Sequence, residues 1–152
     1  MYKILENQIL EVEHLLSYRG SMKETELQEL GIKLEKKATE AGAKRVAFPI
    51  TATYGGDGNT IDMELLLPID KKIEVVEPFK YKDCIKINNA VVLKYIGHPK
   101  DLKDACNELN LYIMQHGLTP ITVGYNVTRY IKPIDLENTE IDIFVGITSN
   151  IL

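Results

Sequence analysis

The segment Leu15-Leu16-Ser17-Tyr18-Arg19-Gly20 is matched about 77 residues later by Val92-Leu93-Lys94-Tyr95-Ile96-Gly97. Both segments are largely apolar runs that end in a tyrosine, one further residue and a glycine. Similarity at a fixed spacing is typical of a repeated structural unit. The sequence therefore predicts that the chain contains two copies of one motif.

Each copy continues with the pattern of an amphipathic helix. The predicted helices cover residues 24–41, followed by Gly42, and residues 101–116, followed by Gly117. Glycine reaches the positive φ of a helix C-terminal cap without a Cβ clash, so each helix should end there. Apolar residues recur at three- and four-residue steps: Leu27, Leu30, Leu34, Ala38 and Ala41 in the first helix, and Leu102, Ala105, Cys106, Leu109 and Ile113 in the second.

Two strand-like runs, rich in β-branched and aromatic residues, follow each helix. They cover residues 46–54 and 60–69 in the first half, and 123–131 and 140–147 in the second. A strand over residues 9–18 opens the first half, and residues 81–87 form a further short strand. The glycine-rich stretch 55–59 predicts a hairpin turn, whereas a longer linker joins the last two strands.

The order strand, helix, strand, strand therefore occurs twice, in a first repeat over about residues 5–70 and a second over about residues 80–150. Two such modules can pair into one antiparallel sheet with both helices on one face. A chain of 152 residues is of ordinary size for one domain. We therefore expect a single α+β domain over residues 1–152.

The charge pattern excludes several classes of partner. The net charge is -4, and lysines and arginines are scattered rather than gathered into a stripe, so we expect no direct nucleic-acid binding. The apolar runs are far shorter than the roughly 20 residues that cross a bilayer, and the N-terminus carries no export signal. These features predict a cytoplasmic location and no membrane contact.

Cysteines and histidines indicate no special chemistry. Cys84 and Cys106 each lie in an apolar pattern, which predicts two buried structural thiols rather than a disulfide framework. His14, His98 and His116 lie on separate elements without metal-ligand spacing. We expect neither a metal site nor a cofactor.

Alternation along the two late strands divides their side chains between two faces. Ile61, Met63, Leu65, Leu67 and Ile69 should face the first helix, and Ile141, Ile143, Val145 and Ile147 the second. The opposite, helix-free face then carries acidic stripes, which we expect at equivalent places in the two halves.

Carboxylates among aromatic rings attract cations. The sequence therefore predicts a site for a hydrophobic or cationic small molecule at Phe48, Tyr54, Asp62, Glu64, Tyr125, Tyr130, Glu140, Asp142 and Phe144. The alternative is that these acids form the solvated face of an antiparallel sheet.

The repeated motif, its two Tyr-x-Gly segments and the closing strand 139–147 resemble the GyrI-like small-molecule-binding family, the effector-binding domain of several multidrug-responsive bacterial regulators. The resemblance implies a pocket that is lined by aromatics, with an acidic residue on a late strand meeting cationic drugs. By position that acid is Glu140 or Asp142, or Asp62 or Glu64. Tyr130 matches a family pocket tyrosine, and Tyr54 is its expected repeat partner.

This sequence departs from the family pattern in ways that alter the expected pocket shape. It has no tryptophan, whereas many relatives carry one in the second helix, and Ser21 and His98 replace the tyrosine usual after each glycine. No helix-turn-helix segment precedes the motif, so we expect a stand-alone member.

Two further functions stay open. Some stand-alone relatives are thought to hydrolyse strained electrophiles with a glutamate and a tyrosine, roles that would fall on Glu140 with Tyr130 or Tyr125. A protein partner is the other possibility, because an acidic surface can dock a basic patch in an inhibitor or interaction module.

Overall fold

The computed structural model describes residues 2–148, which contain six strands, two α-helices and three short 3-10 turns. The chain folds into two compact units. The first unit is Glu11–Lys86, and the second consists of the segment up to Leu10 and the segment from Ile87 onward. Neither α-helix in the described range is both long and apolar enough to cross a bilayer. The elements in chain order are β1 (Lys3–Met22), α1 (Leu27–Glu40), β2 (Ile50–Gly56), β3 (Ile61–Pro68), β4 (Phe79–Ile96), α2 (Leu102–Gln115), β5 (Tyr125–Tyr130) and β6 (Glu140–Gly146).

In the first unit β3 lies between β1 and β2, antiparallel to both. Leu65 is opposite Tyr18 on one side and Thr51 on the other. Helix α1 covers one face of this sheet, where its buried residues Leu34 and Ala38 pack in a core with Leu16, Leu65, Leu67 and Ile69. The predicted packing of alternate side chains against α1 is therefore confirmed for Leu65, Leu67 and Ile69.

The second unit repeats this arrangement with β6 between β4 and β5. Ile141 is opposite Tyr95 and Thr128. Helix α2 packs Ala105, Leu109 and Ile113 against a core that includes Val91, Leu93, Ile141, Ile143 and Val145. The predicted α+β class, with its repeated order of strand, helix, strand and strand and its antiparallel pairing, is confirmed.

The Tyr-x-Gly segments have a packing explanation. A Cβ added at Gly20 would lie 3.0 Å from the Tyr18 hydroxyl, and one at Gly97 would lie 2.8 Å from the Tyr95 hydroxyl. Each tyrosine hydroxyl thus lies over the glycine two positions further along the chain, Gly20 within β1 and Gly97 just after the end of β4, and crowds the space that a side chain would need there. The Tyr95 hydroxyl also donates a hydrogen bond to the His98 carbonyl. The motif is therefore part of the scaffold.

The helix ends agree with the sequence prediction. Gly42 and Gly117 follow α1 and α2 with φ of 89° and 66°, in the left-handed region that glycine tolerates. One expected core position is wrong. Ala41 is exposed, because the helix ends at Glu40 and Ala41 belongs to the C-terminal cap.

The β2–β3 hairpin is confirmed, although its first strand is shorter than predicted. Because Pro49 has no N–H to donate to a ladder, β2 begins after it, and Phe48 lies in the preceding loop. At the turn, the Asp57 carboxylate accepts hydrogen bonds from the N–H groups of Asn59 and Thr60 at 2.8 and 2.9 Å. These bonds lower the pKa of Asp57 and hold the turn closed.

Strand β4 is longer than the sequence indicated. The predicted short strand 81–87 and the apolar residues that precede Gly97 belong to one continuous strand of 18 residues. The exposed polar side chains in its middle obscure this continuity in the sequence.

The expectation of two buried thiols is wrong, since Cys84 is exposed on β4. Cys106 is partly buried on α2, and burial raises the pKa of its thiol.

Candidate functional site

The outer face of the first unit, opposite α1, carries a cleft with a volume of about 580 Å³. Three of the predicted site residues, Tyr54, Asp62 and Glu64, line this cleft. The other lining residues are Ser17, Arg19, Gly20, Ser21, Glu77, Pro78, Lys80 and Lys82. Phe48 is not among them; its ring lies 5.4 Å from the Arg45 guanidinium carbon, in the loop before β2.

The carboxylate of Glu64 lies on the floor of the cleft, and both of its oxygens are engaged. Oε1 accepts a hydrogen bond from the Tyr54 hydroxyl at 3.0 Å, and Oε2 accepts one from Lys82 Nζ at 2.7 Å. Only 5% of the Glu64 side chain is exposed, against 37% of Lys82. A buried carboxylate is costly unless its charge is compensated, and Lys82 provides that compensation.

Tyr54, which donates to Glu64, lies at a local irregularity in β2. The register with β3 shifts between Thr53 and Gly55, which leaves Tyr54 as the extra residue of a bulge. A bulge bends the strand and changes the direction of a side chain. The Tyr54 ring also contacts Arg19, whose guanidinium carbon lies 3.7 Å from the ring centroid.

Arg19 in turn is paired with Asp62. Its Nη2 and Nε donate to the two carboxylate oxygens at 3.0 and 3.3 Å. This bidentate pair raises the pKa of Arg19 and lowers the pKa of Asp62, in both cases chiefly through the hydrogen bonds between them. Both side chains are substantially exposed, so the pair forms the outer wall of the cleft.

The cleft contains as many cations as anions. Arg19, Lys80 and Lys82 balance Asp62, Glu64 and Glu77. The sequence predicts Tyr54, Asp62 and Glu64 as site residues, but neither Glu77 nor any of the three basic residues. An available signal was the stretch Phe79-Lys80-Tyr81-Lys82, since Phe79 and Tyr81 pack against the α1 core and alternation puts the two lysines on the other face.

The outer face of the second unit contains a different charged cluster, centred on Asp142. Buried Asp142 accepts hydrogen bonds at one oxygen, Oδ2, from Arg129 Nε at 3.0 Å and from Lys94 Nζ at 3.3 Å. The Arg129 guanidinium carbon lies 6.0 Å from the ring centroid of Phe144. Phe144 is buried, and Tyr125 lies opposite it in the β5–β6 ladder. One carboxylate with two cations gives this cluster a net positive charge.

Of the predicted catalytic pair, Glu140 is the first residue of β6 and Tyr130 is the last residue of β5. The two residues are directly opposite in the β5–β6 ladder, and Glu140 is exposed. Lys132 Nζ lies 5.7 Å from the Tyr130 ring centroid. On the outer face of the first unit, the partly buried Tyr54 donates a hydrogen bond to the buried Glu64.

The two acidic stripes coincide at only one position, because they are offset by two residues along their strands. Glu64 lies opposite Arg19, which follows Tyr18, and Glu140 lies opposite Ile96, which follows Tyr95. The register therefore makes Glu140 the counterpart of Glu64. By the same register Asp142, opposite Lys94, corresponds to the apolar residue opposite Ser17, which is Leu66.

Comparisons with known proteins give structural matches at low sequence identity. No family model and no curated protein matches this chain. EcmrR in a complex with DNA is similar with a TM-score of 0.82 at 14% identity, over 98% of this chain and 58% of that one. The C-terminal domain of EcmrR is similar with a TM-score of 0.74 at 13% identity, over 99% of both chains. SAV2435 bound to tetraphenylphosphonium is similar with a TM-score of 0.56 at 8% identity, over 98% of this chain and 94% of that one.

These likenesses establish a shared fold. The chain spans 58% of the length of the EcmrR chain in the DNA complex, and nearly all of the C-terminal domain structure. The architecture described above is therefore that of the EcmrR C-terminal domain and of SAV2435.

Proposed function

We propose that this chain is a small-molecule-binding module whose first unit takes a hydrophobic cation in the Glu64 cleft. The observation that carries the proposal is the buried Glu64 carboxylate on the floor of a cleft of about 580 Å³, with the Tyr54 hydroxyl on one of its oxygens. Ligand pockets in proteins usually measure about 300–1,000 Å³ and combine few polar groups with apolar surface. The tetraphenylphosphonium bound to SAV2435, a protein of the same fold, supports this ligand class.

Recognition of the cation rests on Glu64 and on the aromatic face of Tyr54. A cation near a poorly solvated carboxylate is attracted more strongly than in water, and an aromatic ring adds attraction through its quadrupole. Arg19 already lies against the Tyr54 ring at 3.7 Å, so this ring has the geometry that cations favour. On the same grounds we propose membership of the GyrI-like family.

Calorimetric titration with tetraphenylphosphonium tests the proposal, with neutral triphenylphosphine oxide as the uncharged probe. We expect the cation to bind the native chain, and Glu64→Gln to weaken its affinity by at least about tenfold, since a charge-assisted contact is lost. Glu108→Gln is the matched control, because Glu108 is an exposed residue of α2 in the second unit and its change alters the net charge equally. Equal affinities for the Glu64→Gln and native proteins would place the ligand elsewhere.

A second candidate function, hydrolysis of a strained electrophile, is favoured by the 3.0 Å hydrogen bond from Tyr54 to Glu64. A carboxylate beside a phenol can act as an acid–base pair. Tyr54→Phe keeps the ring and removes only the hydroxyl, so loss of turnover with an unchanged tetraphenylphosphonium affinity would indicate an enzyme. Absence of turnover in the native protein across epoxide and cyclopropane substrates would leave the binding function alone.

A further inference from the structure

The ammonium of Lys82 already contacts Glu64, the carboxylate that we propose binds the ligand cation. Lys82 Nζ is 2.7 Å from Glu64 Oε2, and the Tyr54 hydroxyl engages Oε1. A ligand cation that approaches Glu64 therefore meets a carboxylate that is already paired. Lys82 also lines the cleft, and 37% of its side chain is exposed, so it occupies part of the space that a ligand at Glu64 would take.

Lys82 has the advantage of covalent attachment. A tethered group competes at an effective concentration on the order of millimolar or higher, whatever the total protein concentration. A free cation must exceed that competition to displace it. The displaced ammonium, in contrast, returns readily to water because it is part-exposed already.

We propose that Lys82 is an internal competitor for the ligand cation at Glu64, and so a residue that determines which ligands the cleft accepts. The inference rests on the proposed function of the cleft. Cations that gain little beyond the charge interaction are excluded by Lys82. Hydrophobic cations, which also bury apolar surface against Tyr54 and Pro78, retain enough affinity to displace it.

Lys80 provides a matched comparison within the same cleft. It lies two residues before Lys82 on β4, lines the same cleft and carries the same charge, but it is Lys82 that contacts Glu64. Lys82→Met and Lys80→Met each remove one positive charge from the cleft and keep much of the aliphatic side chain. A general electrostatic effect on cation binding would be similar for the two variants.

Calorimetric titration of both variants with tetraphenylphosphonium separates these possibilities. We expect Lys82→Met to bind the cation at least about tenfold more tightly than the native chain, and Lys80→Met to change the affinity by less than about threefold. Equal tightening in both variants, or no tightening in Lys82→Met, would overturn the competitor role while leaving cation binding intact. No binding to any variant would overturn the competitor role and the proposed function together.

Two additional variants guard against a folding artefact. Lys82→Gln retains a hydrogen-bond donor without the charge, so its affinity should fall between those of the native chain and Lys82→Met. Combining Lys82→Met with Glu64→Gln should abolish the gain, because the carboxylate that the removal of Lys82 makes available is then absent. A gain that persists in the double variant would show that the tightening does not act through Glu64.

Discussion

The two buried acids on the outer faces, Glu64 in the first unit and Asp142 in the second, have the same requirement and satisfy it differently. Glu64 is held by one ammonium and one phenol, from Lys82 and Tyr54. Asp142 is held by an ammonium and a guanidinium, from Lys94 and Arg129. If a ligand cation replaces Lys82, the charge of Glu64 stays balanced. The cluster around Asp142, in contrast, already has an excess of positive charge. We therefore expect a buried carboxylate to bind a ligand cation only when that cation can replace one of the carboxylate's existing partners.

The largest expected effect tests whether the two units share an equivalent scaffold. Leu34 on α1 and Leu109 on α2 are both buried at the centre of a helix–sheet core. Substitution of either by alanine removes buried methyl groups and leaves a cavity, so each should lower the free energy of unfolding by about 2–5 kcal/mol. Urea unfolding measures both values. A loss below about 1 kcal/mol in one variant would show that the two cores are not equivalent.

The next effect concerns the two Tyr-x-Gly segments. Gly97→Ala should cost about 1–3 kcal/mol and more than Gly20→Ala, because the added Cβ meets the buried, hydrogen-bonded Tyr95. Tyr18 is only partly buried and can move aside. Thermal unfolding of the two variants gives the ranking. The reverse order would mean that the Tyr95 ring yields more easily than its burial indicates.

A smaller effect is expected from the substitution of Asp142, which we compare with the substitution of Glu64. Asp142→Asn should lower the free energy of unfolding by about 1 kcal/mol, since both of its cationic partners are half-exposed and screened by water. It should leave the tetraphenylphosphonium affinity within about twofold, in contrast to the tenfold loss expected for Glu64→Gln. Calorimetry on these two variants makes the comparison direct. Equal losses in affinity would indicate that both acids meet the ligand.

The smallest effect is expected at the exposed pair of Arg19 and Asp62. Arg19 lowers the pKa of the Asp62 carboxyl in the folded chain, so this pair contributes stability above the unfolded pKa of about 3.9. That contribution is lost as the pH falls through the lower folded pKa. Asp62→Asn should therefore show a slightly shallower loss of stability under acid than the native chain, measured by urea unfolding between pH 6 and pH 3. Asp104→Asn, on α2, serves as the control. An identical acid response in the two variants would show that the contact with Arg19 does not contribute to the acid dependence of stability.

Short-range patterns in the sequence were sufficient for the order of the elements and the faces of the helices and strands. Steps of three and four residues located both helices, glycines at positive φ ended them, and alternation assigned Leu65 and Ile143 to the helix side. These features depend on residues that are neighbours along one helix or strand, because periodicity and capping are local properties. Asp62 and Glu64 could be predicted in the cleft for the same reason, and Tyr54 could be predicted as an aromatic residue of the neighbouring strand.

Only the tertiary structure decided which charges meet. Lys82 is 18 residues from Glu64 in the chain, Arg19 is 43 from Asp62, and Lys94 is 48 from Asp142. Alternation assigns each side chain to a face but does not state which residue of the adjacent strand lies beside it, since that depends on register and on bulges such as the one at Tyr54. The acids were therefore visible in the sequence, while their neutralisation by Lys82, Lys94 and Arg129 arises from strand pairing over long sequence distances.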